Sequence, residues 1–175
     1  MDIVLEHYHR FFHGKADETA EIAYAGMELT LLDFVYPYWP GRRILATFGL
    51  SLSHSVECIL VFPEGCGDVV ETFGTTILFG IQTSQLRRDA LIRFGVETGF
   101  VASTGKSAAF ITVPYSVPHL EEFYTVADAS IHILEAFFVT SAEADFIEGN
   151  GVDAFEKIAS KADADLTDFA RASLV

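Results

Sequence analysis

Three histidines near the start of the chain, His7, His9 and His13, form the densest group of side chains able to hold a divalent ion, with His9 and His13 one helical turn apart. A third ligand is missing from that face, because His7 is two residues from His9 and points away on a helix. The three are read as surface or partly packed histidines, and no metal is expected. Thr104-Gly105-Lys106-Ser107 ends like a phosphate-binding loop, but the first glycine of such a loop would fall on Phe100, and Gly99 is one residue too early. Gly65-Cys66-Gly67 is followed by Val70 where a dinucleotide loop needs glycine, so no nucleotide cofactor is expected either. Cys66 and His54 could pair as thiol and base, yet no orienting residue or oxyanion hole accompanies them. No catalytic residue is assigned, and the chain is read as not an enzyme.

Carboxylates are the other abundant chemistry. The chain has 25 acidic and 11 basic side chains, a net charge of −14 that repels nucleic acid and anionic membrane surfaces. Residues 120 to 175 hold 12 of the acids against 3 bases. Asp153, Lys157 and Lys161 have the spacing of helix-supporting pairs, and Glu143 has that of a capping box with Thr140. Asp145, Glu148, Glu156, Asp163 and Asp165 are left unpaired by this reading. They form either a solvated face or a docking surface for a basic protein, and they are the candidate partner-binding residues.

The elements that position these residues follow from pattern. A helix is expected over Asp2 to His13, a polar link through Lys15 to Glu21, and a strand near Met27 to Tyr36. Pro37, Pro40 and Gly41 break that strand, and two more follow near Arg43 to Leu50 and Val56 to Phe62. After a turn at Gly65-Cys66-Gly67, Asp68 to Ile81 fits both periods and is read as a helix. Ser84 is read as the N-cap of a helix over Gln85 to Phe94. A strand through Ser107 to Val113 precedes a Pro114 to Pro118 turn. The apolar run Ile131 to Val139 reads as a strand, followed by a helix led by Thr140-Ser141-Ala142-Glu143 and ending at Gly149-Asn150-Gly151. A last helix begins at Val152.

A length of 175 residues fits one domain, 1–175, and 16 Phe residues predict an aromatic-rich core. Early strands without regular alternation with helices predict an α+β fold. The N-terminus lacks the features of an export signal, no apolar run approaches a membrane span, and the two cysteines, Cys58 and Cys66, suit a reducing compartment. A soluble, cytoplasmic protein is expected.

The C-terminal run of apolar strand, Glu-led helix ending in Phe146-Ile147, Gly-led helix and Arg171-Ala172-Ser173-Leu174 resembles the signature of the suppressor-of-fused family. Leu45-Ala46-Thr47-Phe48-Gly49-Leu50-Ser51 and Glu57-Cys58-Ile59-Leu60-Val61-Phe62-Pro63 resemble two further blocks of that family, in the same order. Val139-Thr140 departs from it, standing where Pro-Ile is common. The resemblance implies a mixed β-sheet with helices packed against it. It also implies the role of the small bacterial members: a protein-binding module acting as an immunity protein that masks the active site of a cognate toxin, here a basic domain such as a nuclease. The alternative is an enzyme or small-molecule binder with a site between the sheet and the Gly99 to Ser107 loop. Assembly as a homo-oligomer through an exposed strand edge is a third reading.

Overall fold

Residues 3–14, 16–66, 68–94, 99–126 and 129–175 are described by the computed structural model. Asp2, Lys15 and Gly67, expected in a helix, a link and a turn, lie outside them. Val4, Tyr8 and Phe12 recur every fourth residue and bury one stripe of helix α1 (Ile3–Phe11) and the turn after it. Strands β1 (Glu18–Tyr24) and β2 (Met27–Val35) then form a hairpin around Ala25 and Gly26, both at positive φ (51° and 82°), the conformation of a two-residue type I′ connection. The link expected through Glu21 is therefore wrong, because β1 begins at Glu18. Its small and charged residues hide the alternation that an edge strand needs on one face only.

β3 (Arg42–Phe48) and β4 (Val56–Pro63) continue the antiparallel run, joined by the single turn α2 (Ser51–His54). α3 (Val69–Gln82) follows and packs Val69, Phe73 and Ile77 onto the sheet. It comes close enough to β1 that a Cβ on Gly74 would lie 2.6 Å from Ile22 Cγ1. The helix expected over Gln85 to Phe94 is instead a turn and a strand, β5 (Ala90–Arg93), with Ala90 and Ile92 facing the core in period two. Ser84 is no N-cap: it and Asp89 sit at positive φ (57° and 59°), which breaks the chain on both sides of Arg87-Arg88. α4 (Gly99–Thr104) leads into β6 (Lys106–Thr112), and β7 (Phe123–Val126) into β8 (Ala129–Thr140). α5 (Ser141–Asn150) and α6 (Val152–Lys161) complete an α+β fold.

The sheet is mixed, in the order β1-β2-β3-β4-β8-β6-β5 with β7 on β8, and only the β4–β8 pairing is parallel among the described strands. β4 and β8 are central and covered on both faces, which explains their nearly continuous apolar runs. Cys58, Leu60, Leu134 and Phe138 pack with α3, while Ile59, Val61, Ile131 and Ile133 pack with α1. Farther along β8, Phe137 and Val139 join Ala144, Ile147 and Phe155 of the last two helices. No described helix is long and apolar enough to cross a membrane.

The expected capping box is formed. Thr140 Oγ1 accepts from Glu143 N at 3.2 Å, and Glu143 Oε2 accepts from Thr140 N at 2.8 Å. Thr140→Ala removes a cap acceptor, so unfolding free energy should fall by about 1–2 kcal/mol. Urea titration should show this as a lower midpoint at unchanged slope.

Candidate functional site

A carboxylate in the middle of an apolar strand must find donors or remain uncharged. Glu135, on β8, is fully buried and finds them in the loop after β6: Oε2 accepts from Tyr115 N at 2.6 Å and Ser116 N at 2.9 Å, and Ser116 Oγ donates to Oε1. Tyr36 adds a tie by donating its hydroxyl to Ser116 O. Burial, then Glu135, pushes the Tyr36 phenol up to about 12. Pro114 and Pro118 bracket the loop and lack N–H groups, so this segment cannot extend the sheet. The loop is thus pinned by its backbone while the Tyr115 side chain stays 78% exposed.

Facing this loop is the segment after α6. Asp163, at φ 49°, turns the chain. Asp165 then folds it, accepting from Thr167 N and Oγ1 at 2.9 and 2.6 Å on Oδ1 and pairing through Oδ2 with Arg42 Nη2 at 2.6 Å. The Arg42 guanidinium lies 5.0 Å from the centre of the Trp39 ring, which holds that ring beside the segment although it is 48% exposed. Between loop and segment run two adjoining pockets of about 320 and 410 Å³ that share Tyr115, Phe137, Asp163 and Leu166. Val61, Phe110 and Phe137 contribute an apolar floor, and Glu156, Asp163 and Asp165 contribute acids. Partial burial, with Asp89 and Asp153 nearby, raises the Glu156 carboxyl above its usual range. No described histidine or cysteine lines the groove. Aromatic anchors beside carboxylates suit an apolar segment carrying Lys or Arg.

Three of the five candidate acids, Glu156, Asp163 and Asp165, therefore meet at one groove. The other two do not line it: Asp145 and Glu148, on α5, pair with Arg93 of β5 at 2.5 and 2.9 Å. The expectation that all five are unpaired fails for three of them: Asp145 and Glu148 share Arg93 of β5, and Asp165 holds Arg42 of β3. Asp153 and Lys157 make no ion pair among the described residues, and Asp153 stands in the first turn of α6. His7 stacks on Tyr124 at 4.4 Å, its pKa lowered by burial, and His13 Nε2 hydrogen-bonds Tyr38 Oη at 2.9 Å. Lys106 is buried and donates from Nζ to Arg171 O at 3.2 Å, with burial and Arg171 lowering its pKa. Burial raises the Cys66 thiol, whose charged neighbours are Arg42 and Asp168. In the described part of the 99–107 segment, Phe100 packs against Phe138 and Phe169, with ring centres 5.2 and 5.1 Å away.

The sequence reading missed Trp39, Tyr115 and Glu135. The lone acid inside Ile133-Leu134-Glu135-Ala136 was the available signal, since a charge at a core position needs a reason. Burial raises the Glu135 carboxyl to about 7, with the donors from Ser116 and Tyr115 acting in the opposite direction. A folded pKa above the unfolded value means that the native state holds its proton longer. The resulting stability is complete below about pH 4.5 and is lost as pH rises through about 7. Relative to a Glu135→Gln variant, the protein should lose about 3 kcal/mol across that window. Urea unfolding of both proteins at several pH values measures the difference.

No protein-family model matches the chain, and no curated protein matches it in sequence. Solved structures do match in shape. A suppressor of fused homologue from Neisseria gonorrhoeae FA 1090 superposes with a TM-score of 0.75 at 16% identity, covering 98% of this chain and 94% of that one. The Sufu–Fu complex matches with a TM-score of 0.65 at 9% identity, over 98% of this chain and 91% of its own. Drosophila Suppressor of Fused gives 0.63 at 10% identity, and there 98% of this chain covers 50% of the longer protein. With identity this low and coverage this complete, the likeness is one of architecture, and this chain has the fold of the suppressor of fused homologues.

Proposed function

We propose that this chain is a protein-binding module of the immunity type, which neutralises a cognate basic toxin domain, such as a nuclease, by covering its active site. The observation that carries the reading is the groove itself, where exposed Trp39 and Tyr115 stand beside Glu156, Asp163 and Asp165 over an apolar floor. Large aromatics at the edge of a pocket are the side chains that dominate binding energy, and neighbouring charges select the partner and accelerate encounter. A net charge of −14 would draw a basic domain toward the surface and disfavour nucleic acid as a competitor. A binding role also accords with the Sufu–Fu complex, in which a protein of this fold is held by another protein.

The partner would insert a cationic, partly apolar segment, stacking on Tyr115 and Trp39 while its Lys or Arg side chains meet Glu156 and Asp163. Asp165 contributes charge but is tied to Arg42, so its reversal would disturb the fold as well as the interface.

Capture at low ionic strength from source-cell lysate, with the native chain and a Trp39→Ala/Tyr115→Ala chain as baits, tests the proposal when the captured protein is then co-expressed with each. A basic partner that elutes with salt, arrests growth alone and is relieved only by the native chain is the expected result. Relief by the double variant equal to that by the native chain would refute the groove. A captured protein whose toxicity the native chain leaves untouched would refute the immunity role.

Charge is tested separately by rate. Glu156→Lys with Asp163→Lys should slow association about tenfold while changing dissociation little, and added salt should erase the difference. Stopped-flow or surface-binding kinetics with the purified partner reads both rates.

A further inference from the structure

A second cavity, of about 460 Å³, lies where other stretches of β4 and β8 meet the turn after α3, and its basic side chains contrast with the acids of the groove. His54, Ser55, Ser84, Arg87, Arg88 and His132 line it, above an apolar floor that includes Leu86 and Leu134. Arg88 also borders the groove.

One wall is set by a buried carboxylate. Glu57 Oε1 accepts from Gly49 N and Ser51 N, both at 3.0 Å, and Oε2 accepts from Thr47 Oγ1 at 2.5 Å. These bonds fold Thr47-Phe48-Gly49-Leu50-Ser51 into the approach to α2, which ends at Ser55 in the left-handed conformation (φ 53°). Ser55 O then accepts from His132 N at 3.0 Å, so β8 presents His132 next to His54 and Ser55. The other wall is the turn after α3, where Gln85 N and Leu86 N both donate to Gly80 O and where Ser84 and Asp89 again have positive φ. Non-glycine residues seldom take that conformation, and such strain gathers at sites whose shape the protein must hold.

The charge is equally selective. In a chain of −14, Arg42, Arg43, Arg93 and Arg171 are each paired with a carboxylate. Arg87 pairs with no described carboxylate, and Arg88 makes only long contacts, 3.3 Å to Glu122 and 3.6 Å to Asp89. A guanidinium fork matches phosphate oxygens, and each imidazole can donate an N–H beside it. The volume falls in the range of small-molecule sites, and the apolar floor would support a ring.

We infer that this cavity binds a small organic phosphomonoester, its phosphate held by Arg87, Arg88, His54 and His132 and its body resting on the floor by Leu86 and Leu134. The inference does not rest on the proposed function, although Arg88 borders both cavities.

The test is a titration of the full chain at low ionic strength, first with inorganic phosphate and then with adenosine monophosphate as probes, followed by amide chemical shifts. Saturable shifts at Ser55, Ser84, Arg87 and His132, with at least tenfold tighter binding of the nucleotide, are expected. Arg87→Ala with His54→Ala should weaken both probes at least tenfold, whereas Tyr115→Ala at the groove should leave them unchanged. Arg87 and His54 are exposed, so the remaining resonances of the double variant report that its fold is intact. Shifts that never saturate, or that persist undiminished in the double variant, would overturn the site. Equal affinity for the two probes would overturn the organic body on the floor.

Discussion

Three glutamates, Glu57, Glu135 and Glu143, have no solvent exposure at all, and the irregular parts of this protein are shaped around them. A buried carboxylate is tolerable only when its oxygens are supplied with donors, and here each draws two backbone N–H groups and a side chain. Glu57 takes Gly49, Ser51 and Thr47, and Glu135 takes Tyr115 and Ser116. Glu143 takes Thr140 N and Leu174 N together with the Arg171 guanidinium. Two strands and one helix thus reach outward and fix neighbouring segments of chain.

The three are not electrically equivalent. Burial raises Glu57 and Glu135 above the usual carboxylate range, because their donors are neutral. Burial acts on Glu143 in the same direction, but Arg171 and the two amides outweigh it and hold that carboxyl low. The C-terminal clasp is therefore a charged lock, while the other two are polar pegs whose ionisation the surrounding apolar core resists.

Much of this was legible in the residues because it is local. Thr140 and Glu143 are three apart and cap their own helix. The block with Thr47, Gly49 and Ser51 lies one turn from its Glu57 partner. The α+β class followed from the clustering of early strands, and the mixed sheet with helices packed against it was implied by the family-like motifs; that the helices cover both faces came from the structure. The failures arise where neighbours in space decide. Gln85 to Phe94 carries helix-compatible residues, yet β6 offers a ladder and two left-handed residues cut the segment short. Asp145 and Glu148 look free on α5 until Arg93 arrives from β5. The groove was half visible: its acids stood out by charge, but Trp39 and Tyr115 come to its edge only because Arg42 holds the one ring and Glu135 the backbone of the other.

The parallel pairing of β4 with β8 also governs how the chain is made. β1 to β4 form a meander that can assemble as soon as it is synthesised, but the free edge of β4, from Val56 to Ile59, has no partner until His132 to Glu135 emerge. During that interval a strand apolar on both faces presents an open ladder of amides and carbonyls, the template on which intermolecular strand pairing begins. Translation speed and chaperone occupancy over the intervening segment therefore bear on the yield of native protein.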